Sequence, residues 1–361
     1  ASDNTAIGAS ALTANTTGAC NTALGTCALL VNTTGLRNTG LGHRALDANT
    51  EGNCNTAIGM TSLSANTTGD SNVAVGVSAL SLNTTANSNT AVGFESLKLN
   101  TTGSNLTAVG AFTLDENTTG SSNTAISGGA LNKNTTGNYN VAVGSNALCK
   151  NVTSDANTAV GYFSLRCNTA ANNTAVGMCS LGANTSGENN IALGSCSMLN
   201  NTTGSSNIAI GKVAMCVNTE GANNTAIGHI ALRSNTTADS NTAIGSSALT
   251  ANTTGASNTA VGAGALDSNT TGNNNIGVGA AAGSAITTGS SNTAVGQNSL
   301  QATTTASSNT AIGLNSLYTN TTGPDNTGVG KDALLVNTTG CRNVAVGSCA
   351  LKANTTGVEN Q

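Results

Sequence analysis

Proline is almost missing from this 361-residue chain, with one residue, and tryptophan is missing altogether. Aromatic side chains make up 2% and charged ones 7% of the sequence, where soluble domains carry charge at about 25% of positions. So few large side chains exclude an ordinary packed globule of this size. The scarcity of charge, with a net of -4 and plentiful Val, Ile and Leu, also excludes a disordered chain. No apolar run approaches the ~20 residues of a membrane span, and no signal peptide opens the sequence. A pI near 5.0 without a basic stripe argues against nucleic-acid binding.

What is there is a repeat. A unit opening Asn-Thr-Ala-Ile/Val-Gly starts at Asn4 and occurs 21 times up to the one at Asn343, in steps of 17 residues. One step, from Asn157 to Asn173, is 16. No linker interrupts the series, so residues 1–361 are expected to form one repeat domain. Position 1 of the unit is Asn, except at Leu106. Position 2 is Thr, Val or Ile, position 3 is Ala or Gly, and position 4 is Ile, Val or Leu. Position 5 is Gly, except at Ser127. Position 8 is small, position 9 is Leu with rare exceptions, and positions 12–15 usually read Asn-Thr-Thr-Gly.

Charge follows the same columns. Every Asp, Glu, Lys and Arg falls at position 6, 7, 10, 11, 14, 16 or 17. Because an unpaired buried charge is costly, this pattern serves as a burial map, and positions 4 and 9 are expected to supply the apolar interior. In the unit starting at Asn275, position 9 is Gly283 and position 12 is Ile286. If the Ile restores the lost Leu volume, column 12 lies near the interior. Column 3 faces either a crowded interior or a neighbouring chain.

Two glycines per unit and an Asn-Thr-Thr run disfavour helix and favour turns. Short β-branched segments between such turns read as strands. One coil per unit then gives an all-β, parallel β-solenoid of 21 coils, about 17 residues each. Fixed Asn columns are explained by side-chain ladders along the stack. Because no polar cap is recognisable at either end, stacking of chains head to tail is an expectation.

The run Ala6-Ile7-Gly8 with Ala11, repeated as Ala57-Ile58-Gly59 with Ser62 and Ala243-Ile244-Gly245 with Ala248, resembles the head repeats of trimeric autotransporter adhesins. Similar Asn-Thr-Ala-Val-Gly arrays occur in phage and other surface-fibre proteins. The resemblance implies a left-handed parallel β-roll, often trimeric, that projects from a surface to bind or to space.

Candidate sites are of two kinds. Asn-x-Ser/Thr sequons recur at position 12, at Asn15, Asn32, Asn66, Asn83, Asn100, Asn117, Asn134, Asn151, Asn184, Asn201, Asn235, Asn252, Asn269, Asn320, Asn337 and Asn354. Others occur at Asn105, Asn172, Asn200 and Asn223. In a eukaryotic secretory pathway these are glycosylation candidates; the bland reading is turn chemistry. Ten cysteines offer disulfide candidates in four pairs: Cys179 with Cys196, Cys149 with Cys167, Cys20 with Cys27, and Cys341 with Cys349. Cys54 and Cys216 have no evident partner.

Nothing points to an enzyme. The run Gly277–Gly283 superficially resembles a dinucleotide loop but is a repeat unit without βαβ context. His43 and His229 share an outward column far apart, and acidic residues are scattered singly, so no catalytic, cofactor or metal site is expected. The expected function is an extracellular or cell- or virion-surface structural fibre that self-associates head to tail or laterally, with glycans and adhesion as further options. The alternatives are an ice-binding solenoid, with Thr ladders at positions 2, 13 and 14, and a receptor- or carbohydrate-binding spike.

Overall fold

The structure, a computed structural model, describes residues 2–361 and is all-β. Each 17-residue unit contributes one three-residue strand, at positions 2–4. The strands run from β1 (Thr5–Ile7) to β21 (Val344–Val346). The chain forms two compact units, Ala1–Met178 and Cys179–Gln361. The first holds β1 to β11 (Thr174–Val176), and the second holds β12 (Ile191–Leu193) to β21. Within each unit, successive strands pair in parallel, with equivalent columns in register, as in Thr5↔Thr22 and Ala6↔Ala23 or Ile208↔Thr225 and Ala209↔Ala226. This is the expected parallel β-solenoid. Among the described residues no helix is long and apolar enough to cross a membrane.

The interior of a coil is narrow. In a typical coil, positions 1, 3, 8, 9, 12 and 15 are buried. Leu29, Leu46, Leu63 and their equivalents at position 9 are fully buried, each worth roughly 1.5–3 kcal/mol. Opposite them, the Ala of position 3 is also fully buried, as at Ala23, Ala57 and Ala209. A Cβ added at Gly277 would meet Leu266 Cγ at 2.8 Å, so column 3 packs on the Leu of the preceding coil. Column 3 therefore faces the interior.

Position 4 does not. Alternation along a three-residue strand sends positions 2 and 4 to the face opposite position 3, and that face is outward. Leu24 is 42% exposed and Ile312 40%. The expected interior role of column 4 is thus corrected. With Leu filling the coil from position 9, only Ala or Gly fits across from it, and the branched residues turn out.

The two Asn columns are interior ladders. At position 12, Asn66 Nδ2 donates to Asn49 Oδ1 at 2.8 Å and to Gly69 O at 3.0 Å. At position 1, Asn38 N donates to Asn21 Oδ1 at 2.9 Å, and Asn38 Nδ2 reaches Gly52 O at 2.7 Å. These bonds satisfy buried polar groups that would otherwise be costly. Where the repeat slips, the ladder records it. Asn269 Oδ1 is buried without a partner, because its successor at position 12 is Ile286. Asn151 Oδ1 is orphaned too; in the 16-residue coil that follows, Asn168 Nδ2 turns instead to Ala170 O at 2.6 Å.

Position 5 must be glycine for two reasons. Its φ is +136° at Gly25, and a Cβ there would sit 2.5 Å from Gly42 O of the next coil. Ser127, the exception, relaxes to φ 93° and is followed by Gly128-Gly129.

Candidate functional site

Two columns, mostly β-branched, form the outward strand face of each unit. Column 2 is Thr, Val or Ile in all coils, and column 4 is Val, Ile or Leu. In register, they repeat about every 4.8 Å along the stack. No charged residue occurs in either column. Among the described residues, the column-2 threonine hydroxyls make no hydrogen bond within their unit. They stand beside the methyls of column 4, free to meet an outside partner.

The other threonine columns behave differently. At position 13, Thr33 Oγ1 donates to Thr50 O at 3.0 Å and Thr202 Oγ1 to Thr219 O at 3.0 Å, so these hydroxyls are committed to the chain. Position 14 is exposed but lies in a bend, as Glu51 and Glu220 do. Of the three Thr ladders named from sequence, only column 2 lies on a strand face. Although it admits Val and Ile, column 2 is exterior.

The position-12 sequons sit inside the coil. Asn32, Asn66, Asn83, Asn100, Asn117, Asn134, Asn151, Asn184, Asn201, Asn235, Asn252, Asn269, Asn320 and Asn337 have no exposed surface. Asn15 and Asn354 are half-buried, and their amides donate to Gly18 O and Asn337 Oδ1. A folded coil offers these amides to no modifying enzyme, which counts against a glycan stripe along this column. The sequons at Asn105, Asn172, Asn200 and Asn223 are exposed.

All ten cysteines are free thiols. Cys20 and Cys27 lie at opposite ends of β2 (Thr22–Leu24), and the extended run between them spans roughly 13 Å. A disulfide needs Cα atoms within about 7 Å, so the strand between them argues against this pairing. The same separation by β21 applies to Cys341 and Cys349. Cys149 and Cys167 are neighbours: burial pushes the Cys149 thiol up, and Cys167 adds to the shift. Cys179 and Cys196 share column 7 of successive coils and are half-buried. Cys216, left without a partner by sequence reasoning, lies near enough to Cys196 to feel its charge. Its thiol is raised by burial and then by Cys196. The missed signal was that columns 7 and 10 adjoin, as the Arg44–Asp47 ion pair at 2.6 Å also shows.

His43 and His229 do not meet a metal-ligating cluster, and none is found among the described residues. No protein-family model matches the chain, and comparison with curated proteins finds no match.

Proposed function

We propose that the chain is a structural element of an extracellular or virion-surface fibre, and that its outward strand face packs against a second copy of the same chain. One observation carries this reading. Columns 2 and 4 exclude charge as strictly as the interior columns do, although a single chain leaves them partly exposed. Folding explains the absence of charge at positions 1, 3, 8, 9, 12 and 15. It does not explain it at positions 2 and 4, where Lys or Glu would cost the isolated coil little. An uncharged, largely β-branched, regular face is suited to close packing on another sheet. The resemblance to adhesin head repeats supports the same reading.

Sedimentation across a concentration series tests it. The parent chain is expected to associate, and the variants Ile58→Lys and Val109→Lys to be monomeric with unchanged far-UV circular dichroism. A parent chain that stays monomeric at every concentration overturns the proposal.

The unpartnered column-2 hydroxyls favour a second reading, an ice-binding face. Their alternation with methyl groups at a fixed spacing is a regular array suited to ordering water. A monomer with thermal hysteresis, abolished by Thr56→Lys, would establish it; absence of hysteresis and of ice shaping removes it.

A further inference from the structure

Aromatic residues are few enough that their placement is informative. Of six in the chain, four lie in columns 6 and 7 between residues 94 and 163: Phe94, Phe112, Tyr162 and Phe163. Backbone hydrogen bonds join this edge coil to coil, with Phe112 N on Phe94 O at 3.0 Å, Gly129 N on Ala111 O at 3.2 Å, Asn146 N on Gly128 O at 3.1 Å and Phe163 N on Ser145 O at 3.2 Å. Phe94 and Phe112 meet edge to face, with ring centroids 5.3 Å apart. Tyr162 and Phe163 lie 4.0 Å apart, and the Arg166 guanidinium sits 5.0 Å over the Phe163 ring.

Between the two aromatic pairs the edge is hollow. Gly128-Gly129 is the one coil with glycine in both columns 6 and 7. The missing side chains leave an open groove of about 600 Å³. Phe112 forms one wall, the backbone of Gly128 and Gly129 the floor, and Asn132, Asn146 and Lys150 line it with polar groups. Asn132 is anchored by its Nδ2 on Phe112 O at 3.0 Å. Lys133 on the same rim pairs with Glu116. Among the described residues Lys150 has no ion-pair partner. Phe163 stands one coil beyond the far wall, three coils or about 14 Å from Phe112.

We propose that this groove binds a short oligosaccharide. A pyranose ring offers an apolar face of C–H groups and an edge of hydroxyls. The groove offers the complement: a phenyl ring 44% exposed at Phe112 for the face, and amide and ammonium groups for the hydroxyls. A purely apolar ligand is poorly served, because the groove is open to water. A simple anion finds only the one unpaired ammonium of Lys150, because Glu116 neutralises Lys133. The spacing of the Phe112 and Phe163 platforms suits a ligand of several rings. This inference is independent of the strand face, which lies on a different side of the coil.

The test uses the full chain on an array of defined neutral and acidic oligosaccharides, followed by calorimetric titration of the best-bound one. Three variants are compared: Phe112→Ala, Phe163→Ala and Gly128→Leu. The last fills the groove without strain, since a Cβ at Gly128 meets nothing closer than 3.7 Å. Binding is expected to fall at least about tenfold in Phe112→Ala and Gly128→Leu, with circular dichroism and melting temperature unchanged. Neutral and acidic hits separate a hydroxyl-reading groove from one dominated by Lys150. Either of two results overturns the proposal: no saccharide binds, or the bound one is indifferent to Gly128→Leu. A Gly128→Leu chain that binds normally but sediments as a smaller species would assign the groove to contact between copies instead.

Discussion

An interior asparagine in this protein serves three neighbours, and its replacement is felt by all of them. Column 12 contains a natural experiment in which this demand is bypassed. A Cβ on Gly283 would lie 2.9 Å from Ile286 Cδ1 and 2.8 Å from Leu266 Cδ2. The fully buried Ile286 therefore occupies the volume that Leu fills from position 9 in other coils. Gly283→Leu alone is expected to overpack the coil and Ile286→Asn alone to leave a cavity, each destabilising by about 1–3 kcal/mol. The double variant restores both the Leu and the Asn ladder, including a donor for Asn269. A thermal-melting double-mutant cycle should therefore show a favourable coupling of at least about 1 kcal/mol; additive effects would refute the volume exchange. Asp115 is a second residue-level liability. Burial raises its carboxyl above the ordinary range, Lys98 opposes this, and Glu95 and Glu116 add to it; its Oδ1 is buried without a hydrogen bond. Because the folded state holds this proton more tightly than the unfolded one, stability falls as pH rises from the usual carboxylate range through the raised value. Asp115→Asn should therefore melt higher than the parent at neutral pH. That advantage should shrink on acidification below the usual carboxylate range.

The coil as an element explains what was legible in the sequence and what was not. Strand location, coil length, the interior Leu column and the Asn ladders all follow from residues repeated at fixed spacing. The direction of the strand does not. A three-residue strand has two possible orientations, and both keep charge out of positions 2–4. Only the cross-section decides, because Leu at position 9 leaves room for Ala and not for Ile. The Gly substitutions at Gly40, Gly277 and Gly328 were the available signal, since an interior column tolerates loss of volume better than gain. The same inversion changes the reading of the Asn-Thr-Thr-Gly turn. Its Asn looks like a surface sequon and is a buried ladder rung, whereas positions 11 and 17 hold the exposed ones. Expressed through a eukaryotic secretory pathway, the folded protein is expected to carry N-glycans only among Asn105, Asn172, Asn200 and Asn223. Glycopeptide mass spectrometry that finds occupancy at Asn66 or Asn235 would contradict the interior placement.

At the scale of each compact unit, a coil touches chiefly the coils before and after it, so stability is approximately a sum of coil and nearest-neighbour terms. A coil should then be removable as a unit. Excising residues 241–257 joins Ser240 to Asn258 and restores every column: Asn258 follows Asn224 in the position-1 ladder, and Thr259 follows Thr225 in the strand ladder. The shortened chain is expected to keep its β circular-dichroism signature and melt within a few degrees of the parent. The natural 16-residue coil shows where one residue can be lost on its own. Relative to the Asn-Thr-Thr-Gly pattern, its deficit falls in the turn after Asn168, and the strand Thr174–Val176 still pairs in register with Thr158–Val160. Losing one residue inside a strand has no such outlet, because the strand residues after it exchange faces, which at Ala243 would drive the outward Ile244 into the narrow interior. Deletion of Ala243 alone should therefore lower the melting temperature more than deletion of the entire coil. The reverse order would mean that the coils are held by something other than the alignment of their columns.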